Sequence, residues 1–139
     1  MQHRAVETTA EYLGRFETGR DWRTQLEELA AEVDAEAAWF TAMGAVQDAE
    51  LWYYDQDEKE YMPITVETPH EVAACVGNIS RLDGELFAHT HAVLSGPDGE
   101  TIAGHLEAGT TFAGEVHMRV FDTELVRSYD EPTALDLWL

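Results

Sequence analysis

The chain has 139 residues, 45% of them apolar, which fits a single domain over residues 1–139 with one core and excludes global disorder. Asp and Glu number 28 against 8 Lys and Arg, giving a formal net charge of −20, and Lys59 is the one lysine. No basic module hides in either half, and the acids are spread rather than blocky. This pattern points to a halophilic protein, in which high salt screens the self-repulsion that opposes compaction, in preference to an acidic protein built for a basic partner.

The single cysteine, Cys75, excludes an internal disulfide. Its valine- and alanine-rich surroundings suggest a buried, inert thiol. No apolar run reaches the ~18 residues of a membrane span, and no signal-peptide pattern is present, so a soluble cytoplasmic protein without a membrane partner is expected.

In chain order, residues 1–10 are expected to be partly loose and Tyr12–Glu17 to form a first strand. Asp21 suits a helix N-cap, because its carboxylate can accept from an otherwise orphan backbone N–H. Trp22, Leu26, Leu29 and Val33 follow at helical spacing, which predicts one covering helix over 21–35. From Ala37 the period shifts toward two. Strands are predicted at Ala37–Met43 and Glu50–Tyr54, joined through Gly44–Asp48. Tyr61–Val66 follows as an edge strand, since Pro63 removes a ladder donor. Val72–Ile79, Phe87–Leu94, Thr101–Glu107 and Glu115–Phe121 complete the main strands, with short ones at Leu125–Tyr129 and Thr133–Trp138. The predicted fold class is α+β, a mostly antiparallel sheet covered by one main helix.

The chemistry concentrates in Phe87–Gly109, which holds His89, His91 and His105 around the turn Pro97-Asp98-Gly99. Proline presets φ at the first turn position, aspartate suits the second, and glycine takes the left-handed position that closes a three-residue hairpin loop. Such a loop sets Gly96 against Glu100. It then places His91 directly opposite His105, and His89 opposite Glu107. Residues two apart on a strand share a face, about 7 Å apart, and directly opposed Cβ atoms lie about 4.5–5.5 Å apart. Three imidazoles can therefore converge on one metal ion. A one-residue slip would send His105 to the other face. Neutral imidazoles suit zinc, iron, nickel or copper, and zinc is the cofactor expected. Glu107 is a candidate fourth ligand, or the group that orients His89. His117, between Glu115 and Arg119 on its strand face, reads as a solvated or structural residue. His70 and His3 read as surface residues.

These residues also carry a family resemblance. The chain resembles the PPC domain (plants and prokaryotes conserved, formerly DUF296) through Gly19-Arg20-Asp21, Met43-Gly44-Ala45-Val46, Leu51-Trp52-Tyr53-Tyr54-Asp55, Glu60-Tyr61 and Glu71-Val72. The match continues through Gly77-Asn78-Ile79-Ser80, His89-Thr90-His91-Ala92-Val93 and Gly104-His105-Leu106. The resemblance implies a homotrimer on an antiparallel sheet. It sets His89, His91 and His105 at the family's suspected metal-ligand positions, and it brings the family label of a DNA-binding or transcription-associated protein. Three features depart from the family pattern. There is no Arg-Gly-Arg-Pro AT-hook, Glu107 is not demanded, and the acidity is far greater.

Two functions follow as expectations. One is a homotrimeric metal-binding module that recognises a protein, a small molecule or nucleic acid. The other is a metal-dependent enzyme of unknown substrate, in which three histidines leave a position open and Glu107 serves as general base. Direct DNA binding fits poorly, because seven arginines and one lysine, scattered in sequence, form no stripe to displace phosphate counterions. No Gly-rich phosphate loop, nucleophile elbow or paired cysteines suggest another chemistry.

Overall fold

Alternating apolar positions along long segments make this chain mostly strand. A computed structural model describes residues 1–138. Leu139, the last residue of the expected domain, lies outside them. The elements run β1 (Thr8–Phe16), α1 (Trp22–Glu32), β2 (Ala38–Asp55), β3 (Glu60–Val66), β4 (His70–Leu82), β5 (Glu85–Ser95), β6 (Thr101–Phe121), β7 (Arg127–Asp130) and β8 (Leu135–Trp138). The first six strands form a sheet of order β1-β6-β5-β4-β2-β3, and β6 pairs with β2 as well. Antiparallel pairings therefore run from β2 to β4, β4 to β5, β5 to β6 and β6 back to β2. β7 and β8 form a separate hairpin.

α1 starts where Asp21 ends the preceding turn. Its Oδ1 accepts from Thr24 N at 2.8 Å, and its Oδ2 accepts from Gly109 N at 3.0 Å. One carboxylate thus caps the helix and ties it to β6. The buried stripe is Trp22, Leu26 and Ala30, which enters the core with Phe16, Phe40, Leu51, Leu106 and Met118. The helix ends earlier than the sequence pattern predicts: Val33 is the C-cap, and Asp34 has a left-handed φ of 53°. Within the first ten residues, Glu7 N donates to Asp122 Oδ1 at 2.8 Å and β1 begins at Thr8.

Two predicted breaks are absent. Ala38–Met43 of the first predicted strand and Glu50–Tyr54 belong to one strand, β2, with Ala37 just before it, and Gly44–Asp48 is part of its ladder rather than a connection. The irregularity is absorbed by register shifts between Ala42 and Gly44 and between Val46 and Asp48. Likewise Thr101–Glu107 and Glu115–Phe121 are ends of the single strand β6. β3 lies at the sheet edge, as Pro63 requires. Cys75 is 3% exposed, and burial pushes its thiol up to about 12.

Candidate metal centre

The turn after β5 sets the geometry of the histidines. Gly96 N donates to Glu100 O at 3.0 Å, and Gly99 has the left-handed φ of 79° that the three-residue loop needs. The resulting register pairs Ser95 with Thr101 and His91 with His105. The predicted register holds to that point and then ends. At His105, β6 turns away from β5 and pairs with β2, through Trp52–His105 and Leu51–Leu106. Gly104 permits this crossing, because a Cβ there would lie 2.7 Å from Trp52 O.

His89, His91 and His105 come together as the hairpin count predicts. One ring nitrogen from each lies within 4.8 Å of the other two, and these are the three His, Cys, Asp or Glu residues that could hold a metal ion among the described residues. His89 Nε2 and His105 Nδ1 are 3.1 Å apart. Ring centroids are separated by 4.1 Å for His91–His105, 5.0 Å for His89–His105 and 5.1 Å for His89–His91. Nitrogens held about 2.0–2.1 Å from a tetrahedral zinc would stand a little over 3 Å apart, so small ring rotations suffice.

The surroundings keep these rings neutral. Burial, with the Arg127 charge and the other two imidazoles, lowers His89 to about 3. Burial, with His91 and Arg127, lowers His105 to about 4. Burial lowers His91 as well. A neutral imidazole has a free lone pair, the form that binds a metal. Tyr61 packs edge-on against His105 at 5.1 Å, and Phe87 stacks beside His89 at 6.3 Å.

Glu107 does not join the cluster. Because β6 has left β5 by that point, Glu107 does not face His89 in a ladder. Its Oε2 instead accepts from Arg23 Nη1 of α1 at 2.7 Å. This separates it from the role of fourth ligand or His89 partner that the extended register predicts. His117 is half-exposed and pairs with Glu11 at 2.6 Å, in line with a structural residue. His70, expected at the surface, is 9% exposed, with Nδ1 2.8 Å from Thr68 O. His3 is exposed.

The sequence reading missed Arg127. It reaches the histidine face from β7, with Nε donating to Ser80 Oγ, Nη2 to Asn78 Oδ1 and Nη1 to Asp136 O, each at 2.9 Å. In the β4–β5 ladder Ser80 pairs with Phe87 and Asn78 with His89, so Arg127 sits over the row that leads to the centre. Its guanidinium also lies 5.4 Å from the Phe87 ring centroid. No local sequence signal couples a C-terminal arginine to that row. A cavity of about 280 Å³ opens here, lined by His89, His105, Arg127, Arg23, Phe87 and Trp52 among others.

Comparison with known proteins accounts for the fold. A metal-containing protein from Archaeoglobus fulgidus is 38% identical and superposes with a TM-score of 0.95, covering 100% of this chain and 99% of that one. A plant- and prokaryote-conserved protein from Pyrococcus horikoshii is 26% identical, with a TM-score of 0.93 and coverage of 100% and 97%. A protein from Ralstonia eutropha, named as a candidate DNA-binding protein, shares the fold at 24% identity and a TM-score of 0.86, covering 96% of this chain and 94% of that one. No curated protein matches the chain. The model of the Plants and Prokaryotes Conserved (PCC) domain matches residues 3–122, and the chain belongs to that family.

Proposed function

We propose that the protein is a single-domain, homotrimeric binding protein whose centre is a divalent transition metal held by His89, His91 and His105. The observation that carries this reading is the convergence of three imidazoles, one nitrogen from each within 4.8 Å of the others, beside an open cavity. All three donors are of the type that zinc favours, and zinc is the ion proposed. The A. fulgidus relative, itself a metal-containing protein, supports the same conclusion. When bound, the ion supplies a Lewis-acidic position toward the cavity. The chain's own contribution is to keep the rings unprotonated and to wall the site with Trp52, Tyr61 and Phe87.

Assembly is supported by an exposed sheet face. Leu13 is 87% exposed, Met43 59% and Trp39 43%. Leu13 pairs with His117, which in turn pairs with Thr41, so the three strands β1, β6 and β2 present one continuous surface. Apolar side chains placed so openly favour burial against a second copy.

The family's DNA-binding label gains no support from the charges. Arg20 pairs with Glu28, Arg23 with Glu107, Arg81 with Glu36 and Arg119 with Glu11. Cations already matched by carboxylates offer little to a phosphate backbone. The enzyme reading keeps its open cavity and loses its base, because Glu107 is engaged by Arg23. A cobalt titration of chelator-stripped protein tests the proposal. One cobalt per chain is expected in wild type, with His91→Ala and His105→Ala each binding at least ~100-fold more weakly. Equal uptake by the variants would defeat it.

A further inference from the structure

Among the described residues, Arg127 is a buried cation with no carboxylate in an ion pair, although the Asp136 charge acts on it from nearby. Arg127 is 8% exposed, and its three hydrogen-bond acceptors are a hydroxyl, a side-chain amide oxygen and a backbone carbonyl, all neutral. Among the described residues, no carboxylate forms an ion pair with it, whereas the neighbouring Arg23 is matched by Glu107 at 2.7 Å. A guanidinium has five N–H donors, of which three are committed here, leaving one on each terminal nitrogen. Buried charges are normally paired. This one instead lines the cavity shared with His89 and His105. The cavity wall also carries Glu107, matched by Arg23, and Asp136, which does not ion-pair with Arg127. A divalent ion on the histidines would add positive charge to the same small space, which favours an anion in the filled pocket.

We propose that the cavity binds a small organic carboxylate, with the carboxylate on Arg127 and an adjacent oxygen donor directed to the histidine centre. The proposal rests on the metal reading for its second contact only. The two remaining N–H groups of the fork match an oxyanion, carboxylate or phosphate alike. The rest of the wall selects the carboxylate. The remaining walls include Trp52, Phe87, Leu82, Leu135 and Leu137, which suit an apolar body and penalise a multiply charged, strongly hydrated group. The hairpin that delivers Arg127 lies beyond residues 3–122, the part matched by the family model. Ligand choice is thus carried by a segment separate from the histidine strands.

The test uses the full chain, stripped and cobalt-loaded, titrated with mandelate, an aromatic 2-hydroxy carboxylate. Its neutral counterpart 1-phenyl-1,2-ethanediol and inorganic phosphate serve as comparisons. Mandelate is expected to bind saturably, to change the cobalt visible spectrum and to bind at least about tenfold tighter than the diol. Arg127→Gln is expected to lower mandelate affinity about tenfold or more while cobalt stoichiometry stays unchanged. Phosphate at equal concentration should not displace mandelate. Absent mandelate binding, equal affinity for mandelate and diol, displacement by phosphate, or unchanged affinity in the variant would each overturn the proposal. If Arg127→Gln does not fold, the wild-type comparison of mandelate with the diol still decides. If the protein takes up no cobalt, the metal reading alone fails. Mandelate binding to the stripped protein then decides the Arg127 contact, supported by Arg127-dependent binding and overturned by its absence.

Discussion

His89 sits where burial, a buried arginine and two other imidazoles all oppose its protonation. The consequence is a pH dependence with a defined sign. The folded-state values of about 3 for His89 and about 4 for His105 lie below the ordinary 6.5. The unfolded chain therefore binds more protons than the folded chain between those limits, and stability falls as pH drops below about 6.5. Metal-free protein should lose roughly 5 °C or more in melting temperature between pH 7 and pH 4.5, with His89→Gln flattening the dependence. A flat wild-type profile would show that these rings are not held neutral. At this scale the sequence was informative where the determinants were local. Pro97-Asp98-Gly99 fixed the loop length, and the loop length fixed His91 against His105. It was silent where partners come from distant elements. Neither Arg23 taking Glu107 nor Arg127 reaching Asn78 leaves any mark on local spacing.

At the level of elements, the site depends on how β6 is shared between β5 and β2. Gly104 sits at the fork, where a Cβ would lie 2.7 Å from the Trp52 carbonyl oxygen. Gly104→Val should lower stability by about 2 kcal/mol or more and weaken metal binding with it. Urea denaturation and cobalt titration of the same variant would check both, and a variant with wild-type values would place the fork elsewhere. The helix is positioned by Asp21, which accepts from both Thr24 N and Gly109 N. Asp21→Ala should cost about 1–2 kcal/mol in urea denaturation, more than an N-cap alone when the Gly109 contact counts. The cap and the buried helix stripe were readable from residue types. The lengths of β2 and β6 were not, because Gly44 looks like a chain break in sequence and serves as a register shift inside a ladder. Period and composition report local tendency, while the sheet's pairing on both sides of β2 supplies the hydrogen bonds that hold such a residue in a strand.

For the whole molecule, the −20 charge and the exposed face of Leu13, Trp39 and Met43 are the dominant surface features. Screening should raise the melting temperature by about 10 °C or more between low salt and molar KCl, and an unchanged value would contradict adaptation to salt. Light scattering should give a trimer, which Leu13→Asp should dissociate without unfolding the monomer, since that side chain is 87% exposed in one chain. The family and the α+β class were legible because their signals recur along most of the chain. The closing of β6 onto β2 was not, because it is a long-range pairing with no periodic signature. The centre at the heart of this molecule is tested most directly by elemental analysis of protein purified without chelators. One divalent transition metal per chain, zinc foremost, is the expected result; protein free of metal would contradict it.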